Sequence, residues 1–200
     1  MSGIGSRSSG ASVRPMQPVD FFGFAADCTI SGKVTMFGER LTDFLNGQER
    51  FRLHHVECQS LADGHLAAVD SISVERTDLL AVMATGPRGS EKQRVSLQAD
   101  RLQVCIGPYL ILGRLHHKPG SDAMASVLQR DPMIPFTNAT IAYEVGGAIV
   151  ARDISTIIVN RLLVDWISPT TEAASLFPDV PVRSPFAAGL HTDYGRNTAP

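Results

Sequence analysis

The chain has 200 residues, 44% hydrophobic and 19% charged, enough to bury the core of one or two domains. Its 18 Lys and Arg against 20 Asp and Glu leave a formal charge of -2, so no broad positive field is available to neutralise phosphates. No apolar run approaches the roughly 20 residues of a membrane-spanning helix.

Residues 1–18 contain Gly3, Gly5, Gly10, five Ser, Pro15 and Pro18. That composition does not repay the entropy of ordering, and it predicts a flexible N-terminal arm. The stretch also lacks the continuous apolar segment of a secretory signal, so a cytoplasmic location is expected. From Phe21 to Ile30 apolar residues alternate with Gly23, Asp27 and Thr29, the period of one half-buried strand. Gly32 interrupts it, and a glycine inside a strand permits a bulge or bend. Phe37-Gly38-Glu39 reads as a turn, and Leu41, Phe44 and Leu45 have helical spacing. Further strands are predicted from Phe51 to Cys58, Leu66 to Val69, Ser71 to Glu75 and Leu79 to Met83, which closes a first unit at 19–85.

Gly86 through Lys92 combine Gly, Pro and charge without periodicity, and 86–94 is the expected linker. A second unit, 95–167, repeats the order of the first. Strands are expected at Val95 to Ala99, Leu102 to Ile106 and Leu110 to His116, then a helix at Ala123 to Leu128. Strands at Ile134 to Tyr143, Ala148 to Val159 and Leu162 to Ile167 complete it. Cys28 through Thr35 match Tyr109 through His116 about eighty residues later, and Leu79-Leu80 parallels Leu162-Leu163. A period that long is too great for a solenoid unit and implies two homologous lobes. The 168–200 segment, with five prolines, excludes long regular elements. It keeps Leu176, Phe177, Val180, Val182 and Phe186, an apolar content suited to an extended arm lying on a surface. Trp166, at the end of the last strand, is expected to anchor it.

The first unit carries Ile30-x-Gly32, Arg40-Leu41-Thr42-Asp43-Phe44-Leu45-Asn46 and Phe51-x-Leu53-x-x-Val56. In this it is similar to an uncharacterised family of small bacterial domains with an I-x-G strand followed by an R-L-(S/T)-D-x-L-N segment. The order of features also resembles the Sm-like small barrel, a strongly bent five-stranded sheet. The resemblance implies a mainly β protein: two tandem Sm-like antiparallel barrels, each with one short helix, plus terminal arms. It further implies single-stranded RNA binding by Asp43, Asn46 and Arg76. Against the Sm-like pattern, Asp43 and Asn46 are three residues apart, and Arg76 is followed by Thr77-Asp78 in place of Gly. By themselves Arg40, Asp43 and Asn46 read as capping and orienting the short helix and its turn.

Chemistry is sparsely furnished. Cys28, Cys58 and Cys105 are odd in number and lack metal-ligand spacing. His54-His55 and His116-His117 are adjacent pairs in strands, where neighbours face opposite ways, so neither chelates as a unit. Nucleophile elbows, Walker loops and dinucleotide fingerprints are missing. The expectation is a non-catalytic interaction protein without cofactor or metal. It would be an accessory or structural subunit binding protein partners, or further copies of itself, through strand edges and the C-terminal arm. The alternatives are RNA binding and a ligand or enzymatic pocket between the lobes.

Overall fold

The computed structural model describes residues 16–38, 40–86 and 97–170, with the main chain of 182 and 183. The first half contains β1 (Gln17–Phe24), β2 (Cys28–Met36), α1 (Leu41–Gly47), β3 (Arg50–Ser60), β4 (Leu66–Glu75), a 3-10 turn (Arg76–Asp78) and β5 (Ala81–Met83). The second contains β6 (Gln98–Ile106), β7 (Tyr109–His117), α2 (Ala123–Leu128), β8 (Met133–Val145), β9 (Ala148–Asn160), a 3-10 turn (Arg161–Leu163) and β10 (Trp166–Pro169). A two-residue strand, β11 (Val182–Arg183), runs parallel to β9 at Ala151 and Arg152.

The protein is mainly β, and its first ten strands form one antiparallel sheet in the order β10-β6-β7-β8-β9-β5-β1-β2-β3-β4. The two separate barrels expected from the sequence are replaced by this single sheet, which does not close. The reason lies in which strand covers β5. To close its own half, β5 would pair with β4, which offers Ile72, Ser73 and Val74; it pairs instead with Ile157, Ile158 and Val159 of β9. An isoleucine where the alternative has a serine favours the intermodular pairing, because it removes more apolar surface from water.

The halves repeat one another in register. Gly23 faces Val82 and Phe24 faces Ala81 in the first; Val104 faces Ile167 and Cys105 faces Trp166 in the second. Likewise Phe51, Leu53 and Val56 face Val74, Ile72 and Val69, while Ile134, Phe136 and Ala139 face Val159, Ile157 and Ile154. The register therefore aligns Leu79-Leu80 with Val164-Asp165, not with Leu162-Leu163. Each half also carries one bulge beside its central glycine. Pairing slips between Ser31 and Lys33 and between Leu112 and Arg114, and opposite those slips His55 and Asn138 adopt φ of 51° and 47°. A Cβ on Gly32 would lie 3.0 Å from the His54 carbonyl oxygen, and one on Gly113 would lie 3.0 Å from the Phe136 Cβ. The bend brings strands too close for a side chain there.

Other boundaries move for local reasons. The alternation from Phe21 to Ile30 is two strands, broken where the Ala25 amide donates to the Cys28 carbonyl at 2.9 Å. Ala25-Ala26-Asp27 holds neither Gly nor Pro, so the hairpin had no punctuation to reveal it. β4 and β6 are continuous where two strands each were expected, and β1 begins at Gln17, inside the expected arm. The sheet runs on to Pro169, past the expected end of the second unit at 167. Most of the expected linker, from 87 onward, lies outside the described residues.

Each apolar core borrows from the opposite half. Phe24, Leu80 and Ala81 pack with Tyr109, Ile111, Phe136 and Ile157, while Met133 and Ile158 pack with Val34, Leu53, Leu79 and Val82. Gly113→Ala should cost about 1–3 kcal/mol of stability, since the clashing atoms are Cβ atoms fixed to backbone. Urea unfolding of the variant against wild type measures it.

Candidate functional site

Asn46 ends α1 and reaches the other half of the sheet. Its side-chain amide donates to the Met133 carbonyl at 3.0 Å and its carbonyl accepts from the Met133 amide at 2.9 Å, as a strand neighbour would. The Arg76 guanidinium donates to the Leu45 and Asn46 carbonyls at 3.4 and 3.1 Å, satisfying acceptors that the end of α1 leaves open. Asp43 sits in the first turn of α1 and is exposed. The three residues therefore share one neighbourhood around α1, and two of them spend their hydrogen bonds on main chain. Trp166 is 45% exposed at the start of β10. Of the expected arm contacts, Leu176, Phe177, Val180 and Phe186 lie outside the described residues, and the Val182 main chain pairs opposite Ala151.

The histidine pairs differ. His54 and His55 are exposed, whereas His116 accepts or donates at Thr137 Oγ1, 2.7 Å away, and His117 is fully buried. His117 Nε2 stands 2.9 Å from Asp100 Oδ2, and Nδ1 stands 3.1 Å from both the Lys118 carbonyl and Ser121 Oγ. An acid, an imidazole and a serine thus come together, an arrangement that strand-by-strand reading missed because Asp100 is on β6 and Ser121 beyond β7. The i to i+4 spacing of His117 and Ser121 was its one trace in the sequence. Ser121 donates its own proton to the Lys118 carbonyl at 2.7 Å, and Asp122 already accepts from the Met124 and Ala125 amides. The group ties down the β7–α2 turn. Among the described residues no group of three or more His, Cys, Asp or Glu side chains comes together as metal ligands would.

Between the halves, among the described residues, lie the two mixed cores. A shallow depression of about 340 Å³ lies instead on the second half, with Tyr109, Leu110, Tyr143, Ile149 and Trp166 among its lining residues. The Tyr109 hydroxyl donates across the halves to the Ala25 carbonyl at 2.8 Å, and burial raises its pKa well above the ordinary tyrosine value. Tyr143 is also pushed up by burial, opposed by the charge of Arg152 over its ring. Its buried hydroxyl has no partner among the described residues.

An extended exposed feature among the described residues is the β4 edge. Among those residues β4 is paired only with β3, and seven of its first eight residues are exposed, with Leu66 at 61% and Val69 at 47%. Their register equivalents on β9, Ala151 and Ile154, are buried. An unpaired strand with apolar side chains presents free amides and carbonyls to any chain able to add to it. No protein-family model, curated protein or solved structure matches this chain.

Replacing Asn46 with Ala should cost about 1–3 kcal/mol, because the Met133 amide and carbonyl would lose their partner; urea unfolding is the measurement. Burial, helped by Asp27, pushes the Cys28 thiol from 9.0 to about 11. Its alkylation rate in the folded protein should rise with a midpoint near 11, against about 9 in urea-unfolded protein. The folded state keeps a proton that the unfolded state releases, so this group lowers stability as pH climbs from about 9 to 11.

Proposed function

We propose that the chain is a non-catalytic interaction protein, an accessory or structural subunit that binds a protein partner by strand addition along β4. The observation that carries this reading is the ten-residue β4 edge, with Leu66 and Val69 exposed where the matching residues of the other half are covered. Five strands, one short helix and a central glycine in each half support an Sm-like ancestry for the two lobes. An RNA site at Asp43, Asn46 and Arg76 has less support, since Asn46 and Arg76 are held by main-chain hydrogen bonds.

The test is affinity purification from the cell of origin with wild type and with a Leu66→Lys, Val69→Lys variant. Both substitutions are at exposed sites, so the fold should be retained. A stoichiometric protein recovered with wild type and reduced at least tenfold with the variant supports the reading. Failure to recover any such protein, or recovery indifferent to the variant, overturns it. Salt-sensitive binding of single-stranded RNA by the pure protein favours the RNA alternative.

A further inference from the structure

The β5–β9 seam shows how one half of this sheet accepts another: the fifth strand of the first half pairs with the fourth strand of the second. Among the described residues, the two ends of the sheet are the same two kinds of strand, β4 as a fourth strand and β10 as a fifth. End-to-end addition of further copies by the same geometry would extend the sheet from copy to copy, into a closed ring or an open filament according to the rotation at each contact, because the contact is heterologous and repeats. The register permits each seam residue to be compared with its equivalent at the ends, and four of them differ in ways that matter.

Ile158 is fully buried against Val82 and Leu79 of the first half; its equivalent on β4 is Ser73, which is exposed. Asn160 donates to the Arg76 and Leu79 carbonyls, both at 3.2 Å. Its equivalent is Glu75, whose carboxylate has no N–H to donate and would confront carbonyl oxygens. Glu75 is also engaged by Arg50 and by the adjoining 3-10 turn. On the donor side, the Ala84 amide donates to the Thr156 carbonyl at 2.9 Å, and the residue in its place is Pro169, the last of β10, which has no N–H. Ala81 is fully buried in the core of the neighbouring half, and its equivalent is Trp166, far too large for that space. Gln129, in the place of Asn46, keeps an amide able to repeat the contact with main chain.

We infer that the two ends of the sheet are mutually incompatible, so that the β4 edge of one copy rejects the β10 edge of a second. Growth by copying the seam is blocked at both ends: a missing isoleucine and an acceptor-only side chain on β4, a missing N–H and an oversized indole on β10. The inference needs no partner and stands whether or not β4 binds another protein.

Multi-angle light scattering on the pure full chain, from micromolar to hundreds of micromolar, tests it. Wild type should show no mass increase that depends on β4 and β10. A variant carrying Ser73→Ile, Glu75→Asn, Trp166→Ala and Pro169→Ala restores the seam residues and should self-associate with rising concentration, by at least a doubling of mean mass. If that variant unfolds by circular dichroism, the milder Glu75→Asn, Pro169→Ala pair is measured and should associate more than wild type. A wild-type oligomer that dissociates on Ser73→Lys or Ile167→Lys overturns the inference, as does a folded restored variant that stays at wild-type mass. A wild-type oligomer indifferent to both lysines uses another surface and agrees with it.

Discussion

The pairing of β5 with β9 is the constraint on which the remaining structure rests. It is only three residues wide, Ala81 to Met83 against Ile157 to Val159, yet it decides that the molecule is one sheet. Around it the polar groups are used up in ties between the halves. Asn160 holds the turn before β5, Asn46 holds the start of β8, and the Tyr109 hydroxyl holds the β1–β2 turn. The Gly146 amide adds a fourth tie, to the Leu61 carbonyl at 2.8 Å. Because Phe24 and Ala81 lie in one core and Met133 and Ile158 in the other, neither half buries its apolar residues alone. Separating the halves would expose both cores at once.

Much of this was legible in the residues. The two short helices, the central glycines and the mainly β character follow from periodicity and spacing, since those signals are local. Ala123 to Leu128 is helical over the expected range because Asp122 caps it from its own chain neighbour. The errors have a common source. A strand pattern records that a residue is covered but not by what, so Ile157, Ile158 and Val159 read as one lobe's interior when they are the seam. The hairpin at Ala25 to Asp27 was invisible because its turn is made by main-chain hydrogen bonding and by Tyr109 from the other half, with no glycine to mark it.

The candidate site was legible to a smaller degree. Asn46 stood out as a polar residue in a motif and Arg76 through the resemblance; Arg76 does tie down the end of α1, but the partner of Asn46 is Met133, which no spacing rule connects to it. The cluster of Asp100, His117 and Ser121 escaped notice for a related reason: its members come from a hairpin diagonal and a turn. The β4 edge is the opposite case. Leu66, Val69 and Ile72 look like ordinary strand residues, and it is the position of β4 at the end of the sheet, among the described residues, that gives Leu66 and Val69 their exposure.

Bulges explain how strands of such different neighbours coexist in one sheet. A positive φ at His55 and at Asn138 lets β3 and β8 turn sharply where a glycine faces them, so the two arms of each long strand point into different surroundings. For β8 and β9 that bend is useful at both ends. Met133 and Ile158 enter the first core while Ile141 and Tyr143 stay in the second. β3 and β4 have the same bend with no further half to serve. Their far surface accordingly carries Ser73 and Glu75 in place of Ile158 and Asn160, and each of these would weaken a copied seam. One backbone design is thus read twice with different side chains, once as an interior junction and once as a boundary.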